Sequence, residues 1–99
     1  MFSQETGPVA AEITRRLTQA LAPTQLRVID DSESHRGHGG YNARSGESHF
    51  TVIVVSAEFA GLGRVERQRR VNAALREELA GPVHALSIRA MTPAEAAEN

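Results

Sequence analysis

The seven-residue run His49-Phe50-Thr51-Val52-Ile53-Val54-Val55 is the feature that most constrains the fold of this chain. Side chains alternate between the two faces of a strand, so Phe50, Val52 and Val54 share one apolar face. The opposite face also carries an apolar residue, Ile53, which predicts a strand that is covered on both sides. A chain of 99 residues has room for one modest core, and we expect this strand to belong to it.

One helix and one strand are predicted before this run. The helix begins at Pro8, which suits a first helical turn because the amide that proline lacks would be unpaired there. The apolar residues of the helix recur every four positions, which is the spacing of one helix face; they are Val9, Ile13, Leu17 and Leu21. Pro23 ends the helix, and a short strand is predicted at Leu26–Asp30.

Four elements are predicted after the run. A short helical turn at 56–59 begins with a serine that can cap it. A long helix is predicted at Arg64–Ala80, and Gly81-Pro82 ends it. A third strand is predicted at Val83–Ala90. The sequence Thr92-Pro93-Ala94-Glu95 has the pattern of a capping box and predicts a terminal helical turn.

The predicted elements follow the order α-β-β-α-α-β. Helices over one face of a small sheet make a two-layer α+β domain, and we expect a three-stranded mixed sheet. A single domain is predicted at residues 8–95, between a flexible N-terminus at 1–7 and a flexible tail at 96–99.

The composition excludes several classes of function. The formal net charge is −1, which gives no overall attraction to nucleic acid or to anionic membranes. No apolar run approaches the roughly 20 residues of a membrane helix, and the start resembles neither a secretory signal nor a transit peptide. We therefore expect a cytoplasmic bacterial protein, monomeric or weakly homodimeric when alone. No serine triad or carboxylate pair has catalytic spacing, so we do not expect an enzyme.

The four histidines are the first candidate site, because imidazole is the commonest protein ligand of borderline metals. His35 and His38 lie in a polar, glycine-rich stretch at 31–47 that predicts a long loop. They are either metal ligands or solvated side chains. His49 is held by the strand that it begins, so it is predicted to be structural or to orient a neighbouring ligand. His84 lies in phase with the apolar residues of the third strand, a spacing that alone favours a core histidine.

Five arginines within thirteen residues of the predicted long helix form the second candidate site. They are Arg64, Arg67, Arg69, Arg70 and Arg76. Such a cluster can contact phosphates. However, neither a Gly-x-x-Gly loop of the kind that clamps a nucleic-acid backbone nor an aromatic stacking platform is recognisable beside it. The cluster therefore predicts either a nucleic-acid contact or a face on which a protein partner docks.

Segments spread from about Val9 to Glu95 resemble the BolA family. The matching segments, in chain order, are His35-Arg36-Gly37-His38, Ser48-His49-Phe50, Val54-Val55-Ser56, Val83-His84-Ala85-Leu86 and Thr92-Pro93. They have the order and spacing of the family motifs H-x-G-H, [ST]-H-F, V-V-S, H-A-L and T-P. Arg67-Gln68-Arg69 departs from the family pattern R-H-R at its middle residue.

The resemblance implies a fold similar to the class II KH domain. It also implies a shared metal cluster, since BolA-like proteins pair with monothiol glutaredoxins and share a [2Fe–2S] cluster with them in iron–sulfur trafficking and iron homeostasis. His84 would be one ligand, and His35 or His38 the second. The glutaredoxin cysteine and glutathione would supply the thiolates, so this cysteine-free chain is expected to hold no cluster alone.

The resemblance also carries an alternative function. Some family members are described as DNA-binding transcriptional regulators of stress response and cell morphology. In this chain such a role would fall to the arginine-rich helix.

Overall fold

The computed structural model describes residues 2–3, 7–31 and 48–98. Its strands and helices are, in chain order, β1 (Phe2–Ser3), α1 (Pro8–Leu21), β2 (Gln25–Asp30), β3 (His49–Val55), a 3₁₀ turn (Ala57–Phe59), α2 (Arg64–Ala74), α3 (Arg76–Ala80), β4 (Ala85–Met91) and α4 (Pro93–Ala97). The predicted loop histidines His35 and His38 lie outside the described residues.

The sheet is mixed and has the strand order β1-β2-β3-β4. β2 and β3 are antiparallel, whereas β3 and β4 are parallel. The three strands expected from the sequence are therefore confirmed, and β4 lies at one edge. The structure adds β1, a parallel partner of β2. Its two residues are too few to show a periodicity, so the sequence does not predict this strand. Parts of the two predicted flexible ends lie outside the described residues. They are residues 1 and 4–6 of the N-terminus and Asn99 of the tail.

The core lies between the sheet and the helices that cover one of its faces. The largest fully buried side chains are Phe50, Phe59, Ile13, Leu17, Leu26 and Leu75. The apolar stripe predicted for the first helix packs here, and α1 begins at Pro8 and ends at Leu21 as expected. Burial of these apolar side chains together is the main force that favours the folding of such a core.

The opposite face of β3 is less covered than the sequence predicted. Ile53 is half-buried rather than buried. Its partners in register are Arg27 on β2 and Arg89 on β4. Arginine side chains can lay their aliphatic stems along apolar surface while their charged ends stay in water. This explains how an apolar residue is tolerated on a face without a helix.

The predicted long helix is divided in two at Leu75. The backbone angles of this residue are φ −108° and ψ 23°, outside the helical range. Its amide nevertheless donates to the carbonyl oxygens of Val71 and Asn72, at 3.1 and 3.2 Å. The helix therefore tightens locally while Leu75 stays in the core. A regular apolar stripe gives no indication of such a break.

No helix among the described residues is both long enough and apolar enough to cross a membrane.

Candidate functional site

Two of the four histidines meet at one end of the sheet. β3 begins with His49, and His84 directly precedes β4. Because the two strands run parallel and His49 pairs with Ala85, the two rings come together. Their centres are 6.3 Å apart, and their planes differ by 25°. Two residues separated by about a third of the chain thus form one patch, which we call the histidine edge.

Ser48 connects the two histidines through hydrogen bonds. The backbone amide of His84 donates to the carbonyl oxygen of Ser48 at 2.7 Å. The Ser48 hydroxyl lies 2.8 Å from Nδ1 of His49. Ser48 is buried, so these contacts fix both residues relative to the sheet. A hydrogen bond to one ring nitrogen is a common way to orient an imidazole beside a metal.

The two histidines differ in exposure, and this difference decides whether His84 is a core residue. His84 is exposed and His49 is half-buried. The interpretation of His84 as a core histidine, which its spacing favours, is therefore wrong. The strand begins only at Ala85, so His84, which precedes it, is not covered as the half-buried Leu86 and Ile88 are.

The stretch that contains His35 and His38 begins and ends at the histidine edge. The described residues on either side of it are Asp31 and Ser48. The amide of Asp31 donates to the carbonyl oxygen of His49 at 2.7 Å. Both flanking residues are therefore adjacent to His49.

The histidine edge fits one imidazole ligand better than two. Two imidazoles on one tetrahedral ion have ring centres about 5 Å apart, given metal–nitrogen bonds of about 2.0–2.1 Å. The separation of 6.3 Å between His49 and His84 is larger. No group of three or more potential metal ligands occurs among residues 2–3, 7–31 and 48–98. Of the two described histidines, His84 is the more exposed to solvent.

The predicted arginine site is not a uniform positive face. Within the described part of the chain, three of its five members have carboxylate partners. The pairs are Arg67 with Glu95 at 2.7 Å, Arg69 with Glu66 at 2.9 Å and Arg70 with Glu58 at 3.8 Å. Arg64 and Arg76 are exposed. The ion pairs reduce the attraction of this helix for phosphate groups.

Arg67 has a structural role that the sequence did not indicate. Its guanidinium donates to the carbonyl oxygens of Leu62 at 2.9 Å and Ala90 at 3.1 Å. It also donates to both carboxylate oxygens of Glu95, at 2.7 and 3.1 Å, and lies 6.0 Å from the ring centre of Phe59. Arg67 therefore ties the start of α2 to β4 and α4. These partners are too distant in sequence for helix periodicity to reveal them.

The ion pair between Arg67 and Glu95 makes the stability of the domain depend on pH. The hydrogen bond from Arg67 is the main cause that lowers the pKa of Glu95 to about 2, and the backbone amide of Thr92 adds to it. A carboxyl with a lowered pKa stabilises the fold above its ordinary pKa of 4.5, and this contribution is lost as the pH falls towards 2.

We therefore expect Glu95→Gln to lower the melting temperature at pH 7 but not at pH 2. The difference between the two proteins should shrink between about pH 4.5 and pH 2, because protonation removes the same charge from the wild type. Thermal unfolding followed by far-ultraviolet circular dichroism measures both profiles. Melting temperatures that differ by the same amount at every pH would contradict this role of the ion pair.

Comparisons with known proteins agree on one family. A model described as BolA-like protein matches residues 17–95. "BolA-like protein 1" of Pongo abelii is 50% identical over 93 residues, which are 94% of this chain and 64% of that protein. A Vibrio cholerae protein named "DNA-binding transcriptional regulator BolA" is 43% identical over 83 residues, 84% of this chain and 74% of that protein. This chain thus spans less than two thirds of the Pongo abelii relative.

Solved structures show the same architecture. The "BolA domain of SufE1 from Arabidopsis thaliana" is similar to this chain with a TM-score of 0.80 and 40% sequence identity. The similarity covers 92% of this chain and 99% of that one. The small α+β fold with its mixed sheet is therefore the fold of known BolA structures.

Proposed function

The chain belongs to the BolA-like family, and we propose that it is a non-enzymatic adaptor of iron–sulfur metabolism and iron homeostasis. In this proposal it pairs with a monothiol glutaredoxin and shares a [2Fe–2S] cluster with it as cargo. We include two further points in this proposal. The fold is related to that of class II KH domains, and the protein is located in a bacterial cytoplasm.

The observation that carries the proposal is the exposed imidazole of His84 at the histidine edge. A [2Fe–2S] cluster needs four protein-side ligands, and imidazoles can replace two of the thiolates on one iron. This chain has no cysteine. Its histidines can therefore provide half of the ligands, while the cysteine of the glutaredoxin and a bound glutathione provide the thiolates.

We assign the roles of the histidines from their positions. His84 is the first ligand, because its ring is open to a partner. The second imidazole comes from His35 or His38, since the residues that flank their stretch lie beside His49. His49 positions the site, because Ser48 holds its ring next to that of His84. The separation of the two described rings supports this division between a ligand and a positioning residue.

Reconstitution with the partner tests the proposal. We expect the purified chain to stay colourless with iron and sulfide in the absence of glutathione, because it offers no thiolate. Adding a monothiol glutaredoxin together with glutathione should produce visible absorption and circular dichroism that differ from those of the glutaredoxin alone. A stable cluster on the chain without partner, or an unchanged glutaredoxin spectrum, would contradict a shared cluster.

A second candidate is a DNA-binding regulator, which the name of the Vibrio cholerae relative favours. Arg64 and Arg76 are the exposed arginines of the helix without a carboxylate partner among the described residues. Few phosphate contacts give weak binding with a steep salt dependence. We therefore expect non-specific affinity for duplex DNA that is lost between about 50 and 200 mM salt. Fluorescence anisotropy measures it, and sequence-specific binding at physiological salt would favour the regulator.

A further inference from the structure

A groove of about 450 Å³ lies between α2 and the edge strand β4. Its lining includes Leu62, Arg64, Arg67, Gln68, Ile88 and Arg89. Leu62 and Ile88 give it a half-buried apolar floor, whereas Arg64 and Arg89 are exposed at its margin. It lies on the same strand as the histidine edge, but Ile88 is about 13 Å from His84 at about 3.3 Å per residue.

The backbone of β4 offers hydrogen bonds along this groove. The amide of Ala85 donates to Ser48, and the carbonyl of Met91 accepts from Ser56, so the odd-numbered residues of β4 face the neighbouring strand. Successive residues of a strand direct their amides and carbonyls to opposite sides. The backbone groups of Leu86, Ile88 and Ala90 therefore point to the open edge of the sheet.

One of these outward-pointing backbone groups already accepts a hydrogen bond from a side chain. Nη1 of Arg67 donates to the carbonyl oxygen of Ala90 at 3.1 Å, which closes one end of the edge. No hydrogen bond within the described residues engages the amides of Leu86, Ile88 and Ala90 or the carbonyls of Leu86 and Ile88 at that edge. An exposed row of this kind is a template for another strand.

The charges around the groove indicate which kind of added strand can bind beside β4. Arg67 is paired with Glu95, but Arg64 and Arg89 have no carboxylate partner among the described residues. Arg64 on the helix side of the sheet and Arg89 on its opposite face, beside Ile53, therefore leave two uncompensated positive charges along this edge. We propose that the groove binds an extended acidic segment of a partner protein, which adds to β4 as a further strand and places apolar side chains against Leu62 and Ile88. This goes beyond the proposed cluster sharing and does not depend on it.

The same features disfavour other occupants. A single strand of nucleic acid would be expected to stack its bases on aromatic side chains, and none of the described residues that line the groove is aromatic. A second copy of this chain would bring its own Arg64 and Arg89 to the edge, and like charges on neighbouring strands repel. The backbone of an acidic peptide can form hydrogen bonds with the unpaired backbone groups of β4, and its carboxylates can pair with Arg64 and Arg89.

A nine-residue peptide of alternating valine and glutamate, labelled with fluorescein, tests the proposal. We expect anisotropy to show saturable binding to the wild-type chain, and Arg64→Glu with Arg89→Glu to weaken it by about tenfold or more. Arg76→Glu is the matched control, because it makes the same charge change at an exposed position away from the groove. It should leave the affinity within about twofold.

Two further measurements separate strand addition from simple charge attraction. Methylation of alternate peptide amides should abolish binding, because it removes the hydrogen bonds to β4. Bound peptide should slow hydrogen exchange at the amides of Leu86, Ile88 and Ala90, while those of Ser87 and Arg89, already bonded to β3, should change little. Absence of binding, or binding that survives amide methylation, would overturn the proposal. Stronger binding of single-stranded DNA of nine nucleotides in the same groove would assign it to nucleic acid instead.

Discussion

We expect His84→Ala to change the visible circular dichroism of the mixed complex with a monothiol glutaredoxin more than any other histidine substitution, and to return it to that of the glutaredoxin alone. The variant should retain the cluster about 100-fold less well, because even residues that only support a metal ligand contribute 10- to 100-fold. The neighbouring His49 does not replace the lost imidazole, since its ring centre lies 6.3 Å away and Ser48 holds it. His84 is exposed, so its removal should change the free energy of unfolding by less than about 0.5 kcal/mol.

The other histidines are the controls for this result. His49→Ala should cost about 1 kcal/mol of stability through the lost hydrogen bond to Ser48, and it should weaken cluster retention by about tenfold. His35→Ala and His38→Ala should each have a smaller effect than the double variant, because either ring can supply the second ligand. If His84→Ala kept the cluster while His49→Ala lost it without a lower melting temperature, His49 would be the ligand.

The sequence predicted the strands and the first helix because their periodicity is local. α1 begins at Pro8 as predicted and ends at Leu21, two residues before the proline that was predicted to end it. Thr92 and Glu95 form the capping box that their spacing predicts. Both features depend on residues within one or a few turns. The strand Phe2–Ser3 was missed because its pairing with Leu26 and Arg27 is entirely non-local.

The candidate sites were only partly predictable for the same reason. The motifs named His84 and His49, but their distance depends on the register between β3 and β4, which no pattern in the sequence specifies. The sequence also grouped Arg67 with the other arginines of its helix. Its partners Ala90 and Glu95 are 23 and 28 positions away. Only the packing of α2 against β4 turns this arginine from a surface charge into a structural contact.

The largest effect on stability is expected for Phe59→Ala. Phe59 is fully buried in the 3₁₀ turn after β3 and belongs to the core cluster. Replacing a buried phenylalanine by alanine costs about 3–5 kcal/mol, because it removes apolar contacts and leaves a cavity. A domain of this size has a total stability of about 5–15 kcal/mol, and each kcal/mol shifts its melting temperature by about 4–8 °C. Thermal unfolding should therefore show a melting temperature lower by about 12–40 °C, and urea unfolding a correspondingly lower midpoint.

Val65→Ala is the matched control, since Val65 is an apolar residue in the neighbouring helix with 60% of its surface exposed. Its removal should change stability by less than about 0.5 kcal/mol. Phe59 also supports Arg67, whose guanidinium lies 6.0 Å from its ring centre and bonds the edge of β4. Below its melting temperature, Phe59→Ala should therefore keep the cluster spectrum of the histidine edge, which it does not contact, but weaken binding of the acidic peptide. Equal losses at both sites would mean that the variant is unfolded rather than locally altered, and a cost below about 1 kcal/mol would remove Phe59 from the core.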